Sequence, residues 1–265
     1  MTAIAIAFIL VVASVGAIKN SSFVISETEI KIENLERELK IMHISDVHIG
    51  HHRGRDYLAK IVKETNKRNP DLVLITGDLV DAEPALKPGV LEPLSDFKAP
   101  VFFVEGNHDK YLGSERVSKL IKEQNVRIIS NEVIKTHGIQ LIGLDYMKAD
   151  KNTFDMHPSN HSGTVKSVLA DIPLKRDVPS ILMQHNPVGI QYVEAAGVDL
   201  MLSGHTHGGQ IFPFTLLAKL VFPFNSGLYQ QGNTQVFVSN GAGTFMIHTR
   251  LGTFNEINFL RLVPN

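Results

Sequence analysis

Cysteine is absent from the 265 residues, which excludes a disulfide framework, thiolate-bound zinc or iron–sulfur sites and a cysteine nucleophile. Excess charge of either sign is absent as well. Lys and Arg number 26 against 27 Asp and Glu, a net charge of -1, so no surface-wide electrostatic grip on nucleic acid is expected and no long nucleic-acid partner is implied. The chain carries no internal repeat and no low-complexity tract. Against these absences stand a hydrophobic content of 43%, enough for a core without staples, and 12 histidines. With no thiolate available, any metal site here is built from nitrogen and oxygen.

The stretch from Ala3 to Ile18 holds 16 uncharged residues and is followed by Lys19. It falls short of the roughly 20 apolar residues of a spanning helix, and no basic region precedes it as a signal peptide requires. Its small residues Ala13, Gly16 and Ala17 would allow cleavage; the last membrane helix of a longer chain and a buried core element are the alternatives. The expected organisation is a membrane-anchor or signal-like segment over residues 1–20 and a catalytic domain over 21–265. If the stretch spans, Lys19 after it and no Lys or Arg before it place the domain on the cytoplasmic face of a membrane.

Beyond it, Thr28 to Ile32 alternates polar and apolar residues, so residues 21–40 read as an edge strand or a hairpin. Strand-length apolar runs then recur at Ile41–Ile44, Leu72–Ile75, Val101–Val104, Ile139–Leu144, Ile181–Met183, Leu200–Leu202, Val236–Val238 and Ile257–Leu262. Helix-period stretches, Asp56–Lys67 and Ser114–Gln124, lie between several of them. The alternation predicts an α/β fold.

Five of the runs end in polar residues of one chemical kind. Asp46 and His48 follow the first, Gly77-Asp78 the second and Gly106-Asn107-His108-Asp109 the third; His185-Asn186-Pro187 and Gly204-His205-Thr206-His207-Gly208-Gly209 follow two later ones. Loops at the carboxyl ends of strands form the ligand crevice of open α/β sheets, so these five are expected to converge. Each motif alone is weak, but their joint order is specific.

On DVH (Asp46–His48), GDLVD (Gly77–Asp81), GNHD (Gly106–Asp109), QHNP (Gln184–Pro187) and GHTHGGQ (Gly204–Gln210), the sequence resembles the calcineurin-like metallophosphoesterases from about Lys40 to Leu262, and most resembles their bacterial membrane-associated branch. The resemblance implies a two-sheet sandwich flanked by helices. It assigns Asp46, His48 and His207 to one metal, Asn107, His185 and His205 to a second, and Asp78 to a bridge between them. It also makes His108 the general acid and Asp81 the carboxylate that orients it, with loop capping as the alternative for Asp81. Asp109 either contacts substrate or caps the turn leading to Lys110 and Tyr111, and capping is the expectation.

Elementary chemistry agrees with that assignment. A carboxylate can be shared by two ions, and two carboxylates against four imidazoles and an amide leave a cluster that favours phosphate. The mixed donor set suits two divalent transition ions, Mn first, with Fe, Zn or Co as alternatives, better than Mg or Ca. The expected reaction is hydrolysis of a phosphodiester or pyrophosphate, on a small molecule or a lipid-linked substrate, by in-line attack of a metal-bridging hydroxide. A small-nucleotide phosphodiesterase and a non-catalytic metal-binding scaffold are the alternatives; the oligomeric state is not legible. Two further segments stand out. His51, His52, Arg53 and Arg55 either reach a second anionic group or form a solvated loop. The segment 211–224, with Phe212, Phe214, Leu216, Leu217, Leu220, Val221, Phe222 and Phe224 against the single charge of Lys219, is either a buried crossover or an exposed apolar patch. The second reading is the expectation, with membrane contact as its purpose. His43, His137, His157, His161 and His248 are expected to be structural or outside the ligand set.

Overall fold

The computed structural model describes residues 22–153 and 162–265. Two six-stranded mixed sheets face each other. The first has the order β1-β12-β2-β3-β4-β5, with β1 (Val24–Ile32), β12 (Glu256–Pro264), β2 (Leu39–Ile44), β3 (Leu72–Thr76), β4 (Val101–Val104) and β5 (Arg127–Ile128). The second has the order β10-β11-β9-β8-β7-β6, with β10 (Gly227–Gln231), β11 (Thr234–Val238), β9 (Leu200–Ser203), β8 (Ser180–Met183), β7 (Ile139–Gly143) and β6 (Glu132–Thr136). Strands β2 to β5 run parallel, as do β11, β9, β8 and β7. The edge strand expected around Thr28–Ile32 is β1, paired in parallel with β12.

Both faces of the central strands are covered, which is why their sequences read as unbroken apolar runs. Ile41, Leu72, Leu74 and Val104 of the first sheet meet Leu141, Met183, Leu200 and Leu202 of the second in one cluster between the sheets. Met42, Ile44, Val73 and Ile75 point the other way, onto Leu58 and Ile61 of α1 (Arg55–Asn66) and Val117 and Ile121 of α3 (Ser114–Lys122). A short α2 (Asn107–Tyr111) precedes α3. On the far face of the second sheet, α4 (Val165–Asp171) and α5 (Ile190–Ala196) bury Val165, Leu169, Ile190 and Val193. The result is the four-layer α/β sandwich that the sequence implied. His43 lies on the inter-sheet face of β2, bonded through Nε2 to Thr76 Oγ1 at 2.8 Å. Burial lowers it to about 3, so it is a neutral core residue.

The expectation of a membrane-associated chain on the cytoplasmic face is overturned. Among the described residues no helix is long and apolar enough to cross a membrane. The longest of them, α1, has 12 residues. At 1.5 Å per residue that is ~18 Å, against the roughly 30 Å of a bilayer core. The stretch Ala3–Ile18, on which that expectation rested, lies outside the described residues, as do His157 and His161.

Candidate metal centre

The carboxyl ends of β2, β3, β4, β8 and β9 lie together, and the five polar loops meet there. The first two loops are zipped by backbone bonds: Asp46 N–H to Gly77 O at 3.1 Å, His48 N–H to Asp78 O at 3.1 Å and Ile49 N–H to Leu79 O at 2.9 Å. This pairing holds Asp46, His48 and Asp78 in left-handed backbone conformations, with φ of 52°, 52° and 50°. His205 and His207 are left-handed too, at 70° and 52°. Such conformations cost about 1–3 kcal/mol each and persist where the surroundings over-determine them, as here. Gly106 serves a steric purpose instead: a Cβ there would collide with the Asp78 carboxylate.

Three overlapping ligand-competent groups result among the described residues: Asp46, His48 and His207; Asp78, His185 and His205; and His48, Asp78 and His108. In the first, Asp46 Oδ1 is 3.4 Å from His207 Nε2 and 3.9 Å from His48 Nε2, while the two histidine nitrogens are 3.2 Å apart. In the second, Asp78 Oδ2 is 3.1 Å from His185 Nε2, which is 3.1 Å from His205 Nδ1. Asp78 Oδ2 is also 3.8 Å from His48 Nε2, so this carboxylate stands between the groups. Asn107 is buried, and its Oδ1 meets no hydrogen-bond donor among the described residues.

The donor set fits divalent ions on its own chemistry. His185 Nδ1 lies 2.8 Å from the Thr76 carbonyl, which accepts its proton and leaves Nε2 to face Asp78. Burial opposes protonation of His185, yet the carboxylates of Asp78 and Asp46 raise it to about 10. Burial likewise pushes Asp78 up, but His185, His48 and His108 hold it well below the ordinary carboxylate range. Carboxylates that recruit positive charge this strongly in a buried cluster, beside an acceptor without a donor, match what a cation needs.

His108 sits at the rim. Its Nδ1 is 2.6 Å from Asp81 Oδ1, and a ring nitrogen lies within 4.8 Å of donor atoms of His48 and Asp78. Burial works against its charge, but the bond to Asp81 and the field of Asp78 raise its pKa. Asp81 is held far below its usual value against the effect of burial, through His108 and His48. Asp109 caps as expected, accepting from Val80 N–H at 3.0 Å and Gly106 N–H at 2.9 Å. Burial and the neighbouring Asp78 push it to about 7.

A cavity of about 220 Å³ opens over the cluster, lined by Asp78, Asn107, His108, His205, His207, Phe222 and Phe245 among others. Phe222 stands edge-on to His205 with centroids 6.3 Å apart, and Phe245 edge-on to His108 at 5.2 Å. A larger polar cleft of about 790 Å³, lined by Lys31, Arg176 and Glu194 among others, contains none of these groups. Helix α6 (Phe214–Val221) buries no residue: Leu220 is 82% exposed and Phe214 61%. The 211–224 segment is therefore an exposed apolar patch rather than a crossover. Gln210 joins it to the loop carrying Phe245, donating to the carbonyls of Phe245 at 3.0 Å and Ile247 at 2.9 Å.

Of the basic cluster after the first motif, Arg53 donates to Thr244 Oγ1 at 2.9 Å and Arg55 pairs with Glu92 at 3.7 Å. The His52 and His248 rings lie 3.3 Å apart between centroids with their planes tilted by 36°, and His248 takes no part in the ligand groups. Sequence reasoning missed Phe245 and the buried Arg250, which lie in a loop without a recognised motif.

A model of the calcineurin-like phosphoesterase family matches residues 39–209. A Helicobacter pylori metallophosphoesterase is 39% identical over 247 residues, covering 91% of this chain and 64% of its own length. A Danio rerio transmembrane protein with a metallophosphoesterase domain is 32% identical over 247 residues, covering 87% of this chain and 55% of its own. The chain thus spans less than two thirds of these relatives. Among solved structures, the GAP50 anchor of the Plasmodium inner membrane complex shares the fold, with TM-score 0.50 and 16% identity, over 84% of this chain and 80% of that one.

Proposed function

Because the chain belongs to the calcineurin-like phosphoesterase family, we propose that it hydrolyses a phosphodiester or pyrophosphate with two divalent transition ions, Mn first among Mn, Fe, Zn and Co. The observation that carries this reading is Asp78, whose Oδ2 lies 3.8 Å from His48 and 3.1 Å from His185 and so faces both ligand groups. In this reading Asp46, His48 and His207 hold one ion, Asn107, His185 and His205 the other, and Asp78 both; residues 21–265 form the catalytic domain. The ions, when bound, supply Lewis acidity toward the phosphoryl oxygens and a water acidic enough to attack near neutral pH.

The remaining chemistry belongs to the side chains. Asp81 occupies Nδ1 of His108, orients the ring and keeps it protonated, so Nε2 can give its proton to the departing oxygen as the P–O bond breaks. Phe222 and Phe245 exclude water from one side of the cavity and offer an apolar wall to the part of the substrate beyond the phosphate. Their continuity with the exposed face of α6 supports a lipid-linked substrate.

The test is hydrolysis of bis-p-nitrophenyl phosphate against the monoester in Mn, with metal analysis. Two ions per chain and preference for the diester are expected, and Asp78→Ala should lose both ions and the activity. An Asp78→Ala protein that still holds two ions would end the bridging assignment; no hydrolysis by loaded wild type would favour a scaffold.

A further inference from the structure

Arg250 is fully buried and directs its guanidinium at oxygen atoms of three separate segments. Nη1 donates to the carbonyl of His207 at 2.9 Å and to Thr253 Oγ1 at 3.1 Å. Nη2 donates to the carbonyls of Asn240 at 2.5 Å and Gly243 at 2.6 Å, and Nε to Asn255 Oδ1 at 2.8 Å. Burial lowers its pKa to about 10, which leaves it charged at neutral pH. A buried cation bonded in this way to backbone carbonyls fixes the geometry of the loops that carry them.

Two of those loops lead to the same ligand group. His207 is held directly through its own carbonyl. The 240–243 loop, held at Asn240 and Gly243, in turn grips the chain at Asp46: Ala242 N–H donates to Ser45 O at 2.8 Å and Gly243 N–H to Asp46 O at 2.6 Å. His185, by contrast, is fixed by the Thr76 carbonyl, at 2.8 Å from its Nδ1. One guanidinium therefore sets the spacing between Asp46 and His207, residues 161 positions apart in sequence, while Nδ1 of His185 answers to another partner.

We propose that Arg250 is a positioning residue for the ion held by Asp46, His48 and His207, and that its planar five-donor fork, rather than its charge, is what that site needs. Resting on the two-ion reading above, this assigns the loop after β11 to the metal chemistry although none of its side chains is a ligand. Lysine would keep the charge but offers three donors around a point and cannot reach the five oxygens of the three segments at once.

The experiment is equilibrium dialysis with Mn(II) on wild type, Arg250→Lys, His207→Ala and the double variant, with folding checked by circular dichroism. Wild type should bind two ions. Arg250→Lys should weaken one of them by at least ~10-fold and the other by less than ~2-fold, a misplaced ligand costing about as much as lost support around a metal site. In the His207→Ala background, Arg250→Lys should add little, because residues acting through one ligand are not additive. Equal weakening of both ions, additive losses or unchanged binding would overturn the proposal. Should Arg250→Lys not fold, the isosteric Thr253→Val, which removes the hydroxyl sharing Nη1 with the His207 carbonyl, is expected to weaken the same single ion by a few-fold. A wild type that binds no Mn(II) would instead refute the two-ion reading itself.

Discussion

Replacing Asp81 by Asn tests the acid-catalysis reading most closely, because it keeps an oxygen near His108 and removes only the charge. The contact is short, 2.6 Å from Asp81 Oδ1 to His108 Nδ1, and it opposes the effect of burial on the imidazolium. Charge-assisted hydrogen bonds contribute about 1.5–3 kcal/mol. The Asp81 side chain is 28% exposed, so solvent screening favours the lower end, about 1.5 kcal/mol. The sign follows from the role. A general acid must carry its proton, a raised pKa keeps that proton to higher pH, and the rate falls as pH rises through the raised value. Asp81→Asn should therefore move the basic limb of the kcat profile to lower pH and slow diesters with poor alkoxide leaving groups ~10-fold near neutrality, with metal content unchanged. His108→Ala should cost roughly 10² to 10⁴ on the same substrates and much less on p-nitrophenyl esters, whose leaving group needs no proton. The assay is a pH–rate series on paired alkyl and p-nitrophenyl diesters with metal analysis of each sample. A basic limb that stays in place in Asp81→Asn, or an equal loss for both leaving groups in His108→Ala, would refute the assignment.

Two further outcomes follow from the packing around the cluster. Gly106→Ala places a Cβ against the Asp78 carboxylate and should lower metal content as well as the thermal midpoint, overpacking of this kind costing about 1–3 kcal/mol; full metal loading in the folded variant would contradict the close approach. Phe222→Ala removes an apolar wall and should raise KM for a diester with a long alkyl chain by ~10-fold while leaving a methyl ester nearly unaffected, since burying an aromatic side chain contributes about 1.5–3 kcal/mol at most. Equal changes for the two esters would remove Phe222 from substrate contact.

Much of the fold was legible because the central strands are covered on both faces. Leu72–Thr76 and Val101–Val104 are buried throughout, so their apolar runs survive in the sequence without any alternation to decode. The loops after them were legible for a related reason: each apolar run gives way abruptly to Asp, Asn, His and Gly, which break its pattern. The partners of Arg250 were not legible. Its bonds reach His207 and Asn240, 43 and 10 residues away, through backbone carbonyls that any residue type would supply. The apolar 211–224 segment was ambiguous because composition alone does not distinguish a buried helix from an exposed one; among the described residues, α6 buries none of its own side chains.

What the sequence determined by itself was the kind of chemistry: no thiolate, a surplus of imidazole, carboxylates at strand ends, and hence a nitrogen and oxygen site suited to transition ions. These are properties of residues and survive without coordinates. Only the tertiary structure decided which of these side chains come together, the approach of Asp78 to both His48 and His185, the 2.6 Å contact of Asp81 with His108, and the buried guanidinium behind His207. The reason is physical. His48 and His207 are 159 residues apart and come within 3.2 Å only because strands of two different sheets end at one edge of the sandwich, a distance set by how the sheets pack rather than by what either loop contains.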